Sequence, residues 1–222
     1  MVKSINFLKR KPGMSVETFQ EYWRTTHADL IKSIPGLRKY AQCHTLLSGY
    51  RKGEPAYDGV AELWYDDVEA MRRIADLPES RSALADGENF LDLSKTASIV
   101  TEEHVQKDGP TDGSMVKLVE LITRKPGMDV EAFQAYWRNA HGPLAAKIPM
   151  IRRYVQCHTR LSAYRAGRQP LYDGVAEVWA DGTDALRESA KTPEYAAVRA
   201  DEPNFMDPGK AAFVITKEFE IR

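Results

Sequence analysis

No apolar run in this chain approaches the ~20 residues that a membrane-spanning helix needs, so the sequence offers no span. Neither sign of charge dominates: 31 Lys and Arg stand against 32 Asp and Glu, a net charge of −1. There is therefore no basic field to gather nucleic acid or an anionic membrane surface, and neither is expected as a partner. Cysteine is scarce, with Cys43 and Cys157 alone. They occupy equivalent places in a repeat, and equivalent places in two copies of a fold are seldom neighbours. Two free thiols in a reducing, cytoplasmic setting are expected rather than a disulfide. The chain lacks a glycine-rich phosphate loop, a G-x-S-x-G nucleophile elbow and any H-x-H or H-E-x-x-H pair, which removes the usual support for phosphate, serine-nucleophile and zinc chemistry. The first residues, M-V-K-S-I-N-F-L-K-R, carry too short an apolar core for a signal peptide.

What is present is a duplication. M-V-K at Met1 recurs at Met115, an offset of 115 − 1 = 114. M-S-V-E-T-F-Q-E-Y-W-R-T-T-H (Met14 to His27) recurs as M-D-V-E-A-F-Q-A-Y-W-R-N-A-H (Met128 to His141), Y-A-Q-C-H-T as Y-V-Q-C-H-T, and Y-D-G-V-A-E-L-W as Y-D-G-V-A-E-V-W. Asp86, Asn89 and Phe90 match Asp201, Asn204 and Phe205. A repeat of this length is domain-sized, well above the 20–50 residues that mark a solenoid. The expected division is a first copy at 1–105, a polar breaker-rich linker at 106–114 and a second copy at 115–222.

Within a copy, Val2 to Lys9 alternates and reads as a strand. Ser15, or Asp129 in the second copy, suits a helix N-cap, and Met14 with Phe19 a hydrophobic staple. Phe19, Trp23 and Leu30 follow helical spacing, with His27 on or beside that face; Pro35 ends the helix. Strands are expected over Leu37 to Leu47, Tyr57 to Tyr65 and Lys95 to Glu103. A second helix starts near Asp66 and ends before Pro78, and a turn or short helix follows to Asp86. The order is β-α-β-β-α-β, a ferredoxin-like pattern, and the class is α+β. One such sheet leaves a face uncovered. Duplication provides a second sheet, so two repeats packed sheet to sheet as a pseudo-dimeric barrel are expected, with further homodimer formation left open.

R-K-P-G-M-S-V-E-T-F-Q-E-Y-W, His27, P-G-L-R-K-Y and D-G-V-A-E-L-W together resemble the EthD family of the dimeric α+β barrel superfamily. The second copy, with H-G-P-L at His141, is the closer; the first has H-A-D-L. The resemblance covers nearly the whole of both copies. It implies the barrel fold and a small-molecule pocket between sheet and helices. Relatives in the superfamily include polyketide cyclases, dehydratases, cofactor-free monooxygenases and haem-handling proteins.

Histidine is the commonest general acid or base near neutral pH, which makes His27 and His141 candidates; the structural alternative is a helix-end imidazole. In Y-x-Q-C-H, Tyr40, Gln42 and His44 share a strand face, as do Tyr154, Gln156 and His158. Val60, Glu62 and Trp64 alternate likewise on the next strand, with Glu177 and Trp179 in the second copy. If the two stripes share a sheet face, Gln42, His44 and Glu62 form a polar patch walled by Tyr40 and Trp64, as a pocket for an aromatic polar ligand requires. The alternative is a satisfied polar network. The small side chains Ala41, Cys43 and Ala61 would suit packing under Phe19 and Trp23, which would turn the polar stripe away from the helices; the superfamily resemblance implies the reverse for Trp64, and the pocket is the reading expected. Tyr50 and Tyr164 would cap a ligand or staple their loop. Asp58 and Asp173 suit a strand-entry turn, Asp86 and Asp201 a local backbone cap, and Asn6, replaced by Glu120, is a weaker candidate. The expected function is a cofactor-independent enzyme, of lyase, cyclase or isomerase type, acting on a small apolar or aromatic carbonyl compound through histidine acid/base chemistry. The alternative is a non-catalytic small-molecule or haem-binding accessory protein of an oxygenase or catabolic pathway.

Overall fold

The computed structural model describes residues 1–222 apart from the side chain of Ala166. The chain forms two compact units: residues 1–100 with 218–222, and residues 101–217. These units follow contacts, whereas the sequence copies follow the repeat, and the two divisions differ at β4 and β8 (ranges below).

In the first unit, β1 (Val2–Leu8) pairs antiparallel with β3 (Gly59–Tyr65), which pairs antiparallel with β2 (Lys39–Thr45). Residues 221 and 222 continue beside β2: the Tyr40 N–H donates to the Arg222 carbonyl at 2.9 Å, and the Ile221 N–H to the Tyr40 carbonyl at 2.9 Å. The helices are α1 (Val16–Tyr22), α2 (Ala28–Lys32), α3 (Val68–Ala75) and α4 (Pro78–Phe90). Their inner face packs on the sheet through Phe19, Trp23, Ile31, Ile74, Ala83 and Phe90. Ser15 caps α1 by accepting from the Thr18 N–H, and Met14 packs against the same core as Phe19, as the staple requires. α4 is longer than the turn or short helix expected at Pro78 to Asp86. Pro78 opens it, where a missing N–H does no harm, and Ala83, Gly87 and Phe90 bring one face inward.

In the second unit the strand order is β8–β5–β7–β6–β4, from β5 (Val116–Ile122), β6 (Ile151–Thr159), β7 (Gly174–Ala180), residues 212–216 of β8 (Ala212–Glu220) and residues 101–107 of β4 (Ala97–Lys107). Strand β4 thus runs further than the expected end at Glu103. The helices are α5 (Val130–Tyr136), α6 (Gly142–Ala145), α7 (Thr183–Ser189) and α8 (Pro193–Asp201). The core repeats that of the first unit, with Phe133, Trp137, Ile148, Tyr154, Val198 and Phe205. Each unit is a ferredoxin-like α+β layer pair. Among the described residues no helix is long and apolar enough to cross a membrane.

Candidate active site

Both copies run from α1 or α5 into one turn of π-helix, Trp23–His27 and Trp137–His141. Such wide turns are uncommon and recur at functional sites. Here a strand side chain is bonded into the turn. Gln42 Nε2 donates to the Trp23 carbonyl at 2.8 Å, and Gln156 Nε2 to the Trp137 carbonyl at 2.8 Å. The indole lies flat on the sheet because Gly59 leaves room for it. A Cβ there would stand 2.4 Å from a Trp23 ring carbon, and one at Gly174 would stand 2.5 Å from Trp137.

The turn ends on the histidine. His27 Nδ1 lies 2.8 Å from Asp86 Oδ2. Asp86 Oδ1 accepts from the Tyr22 hydroxyl at 2.7 Å and from Asn89 Nδ2 at 3.0 Å. The second copy repeats every member: His141 Nδ1 to Asp201 Oδ2 at 2.9 Å, with Tyr136 at 2.7 Å and Asn204 at 3.0 Å on Oδ1. Each imidazole also rests on an aromatic ring, Phe90 at 4.8 Å and Phe205 at 4.5 Å. Burial pushes both histidines below the ordinary imidazole value, against the aspartate that raises it. Burial pushes the aspartates up, but hydrogen bonds from the tyrosine, histidine and asparagine outweigh it and hold both below the usual carboxylate range. An ionised carboxylate only accepts, so in the neutral ring Nδ1 carries the proton and Nε2 the lone pair. Among the described residues no hydrogen bond to either Nε2 is formed. The arrangement is an oriented, neutral imidazole able to take a proton at Nε2 and stabilised as imidazolium when it does.

Tyr40, Gln42 and His44 form a second, fully packed network facing the helices. Trp23 Nε1 and Gln42 Nε2 both donate to the Tyr40 hydroxyl at 2.9 Å, and Gln42 Oε1 accepts from His44 Nε2 at 2.9 Å. The His44 ring stacks on Trp23 at 4.4 Å and meets the edge of Phe219 at 5.0 Å. In the second unit Tyr154, Gln156 and His158 repeat this, with His104 in the place of Phe219, 4.5 Å from His158. Burial drives His44 and His158 down to about 3, with Arg24, and His104 and Arg138, adding to it. Both rings are therefore neutral throughout the physiological range.

The shared patch expected from the two stripes is not formed. Glu62 stands opposite Ala41 in the register, and Ala61 opposite Gln42. Glu62 and Trp64 therefore share the face of Ala41 and Cys43, and the β2 polar stripe points toward the helices rather than away from them. Under the helices only Ala61 of the three expected small side chains remains. On the opposite face Lys3 Nζ pairs with Glu62 at 3.0 Å and lies 4.6 Å over the Trp64 ring, and Cys43 Sγ lies 3.4 Å from Glu62. Glu177 and Trp179 are placed the same way, with Lys117 at 3.5 Å and 4.5 Å. Both thiols are buried, and neither forms a disulfide. Tyr50 donates to Asp58 at 2.7 Å and lies 5.4 Å under the Arg10 guanidinium; Tyr164, Asp173 and Arg124 repeat this. These tyrosines staple their loops. Asp58 also accepts the Arg10 N–H at 2.9 Å, the turn-anchoring role expected for it.

The residues that sequence reasoning undervalued are Asp86 and Asp201, expected as backbone caps and found holding the histidines. The available signal was the repetition of Tyr22, Asp86 and Asn89 as Tyr136, Asp201 and Asn204, the tyrosine lying far in sequence from the other two in each copy. The EthD domain model matches residues 11–94 and 125–209. The chain belongs to the EthD family. Solved structures with a similar fold include a putative monooxygenase from Lactobacillus acidophilus NCFM, at 13% identity and a TM-score of 0.60 over 100% of this chain and 94% of that one. Another from Fusobacterium nucleatum subsp. nucleatum has 8% identity and a TM-score of 0.63 over 100% and 92%. An anthrone oxidase-like protein has 11% identity and a TM-score of 0.64 over 99% and 93%. At such identities the likeness concerns the fold. No functionally curated protein matches the sequence.

Proposed function

We propose that this EthD-family protein is a cofactor-independent acid/base enzyme for a small apolar or aromatic carbonyl compound, with the His27–Asp86 and His141–Asp201 dyads moving the proton. The observation that carries the reading is the dyad itself, present twice with the same tyrosine and asparagine on the same carboxylate oxygen. Nε2 takes a proton from a carbon next to the carbonyl or from a hydroxyl, the aspartate stabilises the imidazolium, and the same nitrogen returns the proton. Dehydration, cyclisation, isomerisation and C–C cleavage can all begin this way. His44 and His158, neutral and wedged between rings, keep the indole and the wide helical turn in place in this scheme, and Gln42 and Gln156 hold that turn to the sheet. The face-to-face packing of the two sheets belongs to the same proposal; a scattering profile of two separated lobes would contradict it.

The test uses aromatic polyketide-like ketones as probes, with anthrone suggested by the name of one structural neighbour. The double variant His27→Ala with His141→Ala should lose about 10²–10⁴-fold in turnover, the range of a lost general base. Full turnover in that variant would overturn the assignment. A Soret band in the purified protein would overturn the cofactor-free part and favour the haem-binding alternative.

A further inference from the structure

Among the differences between the two copies, one group adds charge on the helix side of the second. Asn6 of the first becomes Glu120, Leu84 becomes Arg199, and Gly87 becomes Glu202. All three changes bring charge, and all lie in the second unit. Glu120 sits on β5 between β7 and β8, opposite Ala176 and Phe213. Ala176 belongs to the core under the helices, which fixes that side as the one Glu120 faces. Glu202 directly follows the dyad residue Asp201, is buried, and accepts from Arg199 Nη1 at 2.6 Å. Glu120 is only partly exposed, and its carboxyl makes no hydrogen bond or ion pair among the described residues.

We propose that Glu120 is a second proton-transferring group of this protein, confined to the second unit and supported there by Glu202 and Arg199, for ligands that carry an acidic C–H or O–H. A lone carboxyl beneath a helix layer, with a second carboxyl nearby and an arginine engaged by that second one, is how proteins keep one acid poised between its two states. Burial and the charge of Glu202 push Glu120 up to about 7, with Arg199 opposing. Burial raises Glu202 as well, and Arg199 again opposes. The ionisable groups that act on Glu120 are thus Glu202 and Arg199 from the α8 side, and Tyr154 on β6 feels the Glu120 charge in return. Asn6 cannot do this work, so the copies are not chemical equivalents, although both keep the histidine dyad.

The inference rests on the proton-transfer reading above, and its test avoids the unknown substrate. 5-Nitrobenzisoxazole reports a desolvated carboxylate base. Glu120 takes the C3 proton, the C–H electron pair completes the nitrile as the N–O bond breaks, and the coloured 2-cyano-4-nitrophenolate leaves; the proton then passes to water. The full-length protein should accelerate this over buffer, with the rate rising through about pH 7. Glu120→Gln should remove about tenfold or more, and Glu202→Gln should move the profile to lower pH, because the like charge that raises Glu120 is gone. Asn6→Ala, at the matching position of the first copy, should leave the rate in place. A wild-type rate equal to buffer, or a folded Glu120→Gln protein at the wild-type rate, overturns the inference. Loss in His141→Ala but not in Glu120→Gln overturns it while leaving the dyad reading intact.

Discussion

His27 is tied to Asp86 through a single nitrogen, and that bond fixes which nitrogen is the base. Replacing Asp86 and Asp201 by Asn offers the ring an amide N–H where it had a carboxylate. The favoured tautomer then moves the proton to Nε2, and turnover of a ketone probe should fall by about 10²–10⁴-fold with thermal stability changed much less. His44 and His158 lead to a different expectation. Their folded pKa values, about 3, lie below the unfolded imidazole value. The unfolded chain therefore binds more protons in that window. The stability from keeping these rings neutral is complete above about pH 6.5 and is lost as pH falls toward 3. Denaturant midpoints measured from pH 7 to 4 should drop, with each ring adding a slope of at most about 1.4 kcal/mol per pH unit. His44→Phe with His158→Phe, which keeps the stack, should flatten that slope. At this scale the common face of Tyr40, Gln42 and His44 was legible from strand alternation. The separation of Glu62 from them was not, because alternation says which residues of one strand agree and only register says which residues of two strands do.

The wide turn that presents the histidine is an element-scale feature invisible in the sequence. Its residues have ordinary helical spacing, and the hydrogen bond that accompanies it comes from Gln42, on a strand placed beside it by tertiary packing. The glycine beneath it was visible as part of Y-D-G-V-A-E, though its reason was not. Gly59→Ala or Gly174→Ala should force the buried indole off the sheet and cost about 1–3 kcal/mol in chemical denaturation, as overpacked cores do. The cap signals were legible and are unequal. Ser15 accepts one backbone N–H at 3.1 Å, while Asp129 accepts two at 2.9 and 3.0 Å, as a charged acceptor at a helix start. Asp129→Ala should therefore lower stability more than Ser15→Ala, with the latter near 1 kcal/mol. The full length of α4 was not legible because its buried positions, Ala83, Gly87 and Phe90, include two residues too small to mark a hydrophobic stripe.

For the whole molecule, the duplication and the α+β order of each copy were plain from the repeat, whereas the composition of the compact units was not. The first unit includes residues 218–222. Beyond the backbone bonds to Tyr40, the Arg222 guanidinium donates to the carbonyls of Lys32 at 3.0 Å and Ile34 at 2.7 Å, closing the end of α2. A chain ending at Lys217 should lose hydrogen-exchange protection at Tyr40 and its β2 neighbours, while β7 amides keep theirs. Retained protection at Tyr40 would show that these bonds carry little of the first unit's stability.

A ribosome delivers this chain from the amino end, and that order bears on the split first unit. By the time residue 100 has emerged, β1, β3 and β2 can pair, yet one side of β2 has no partner until residues 101–217 have been translated and 218–222 follow. The second unit is continuous in sequence and has no such wait. During that interval the nascent protein carries an open strand edge, the feature most prone to pair with the wrong chain. The rate of elongation through the second half, and any chaperone that shields β2 meanwhile, should therefore affect the yield of folded protein more than its final stability does.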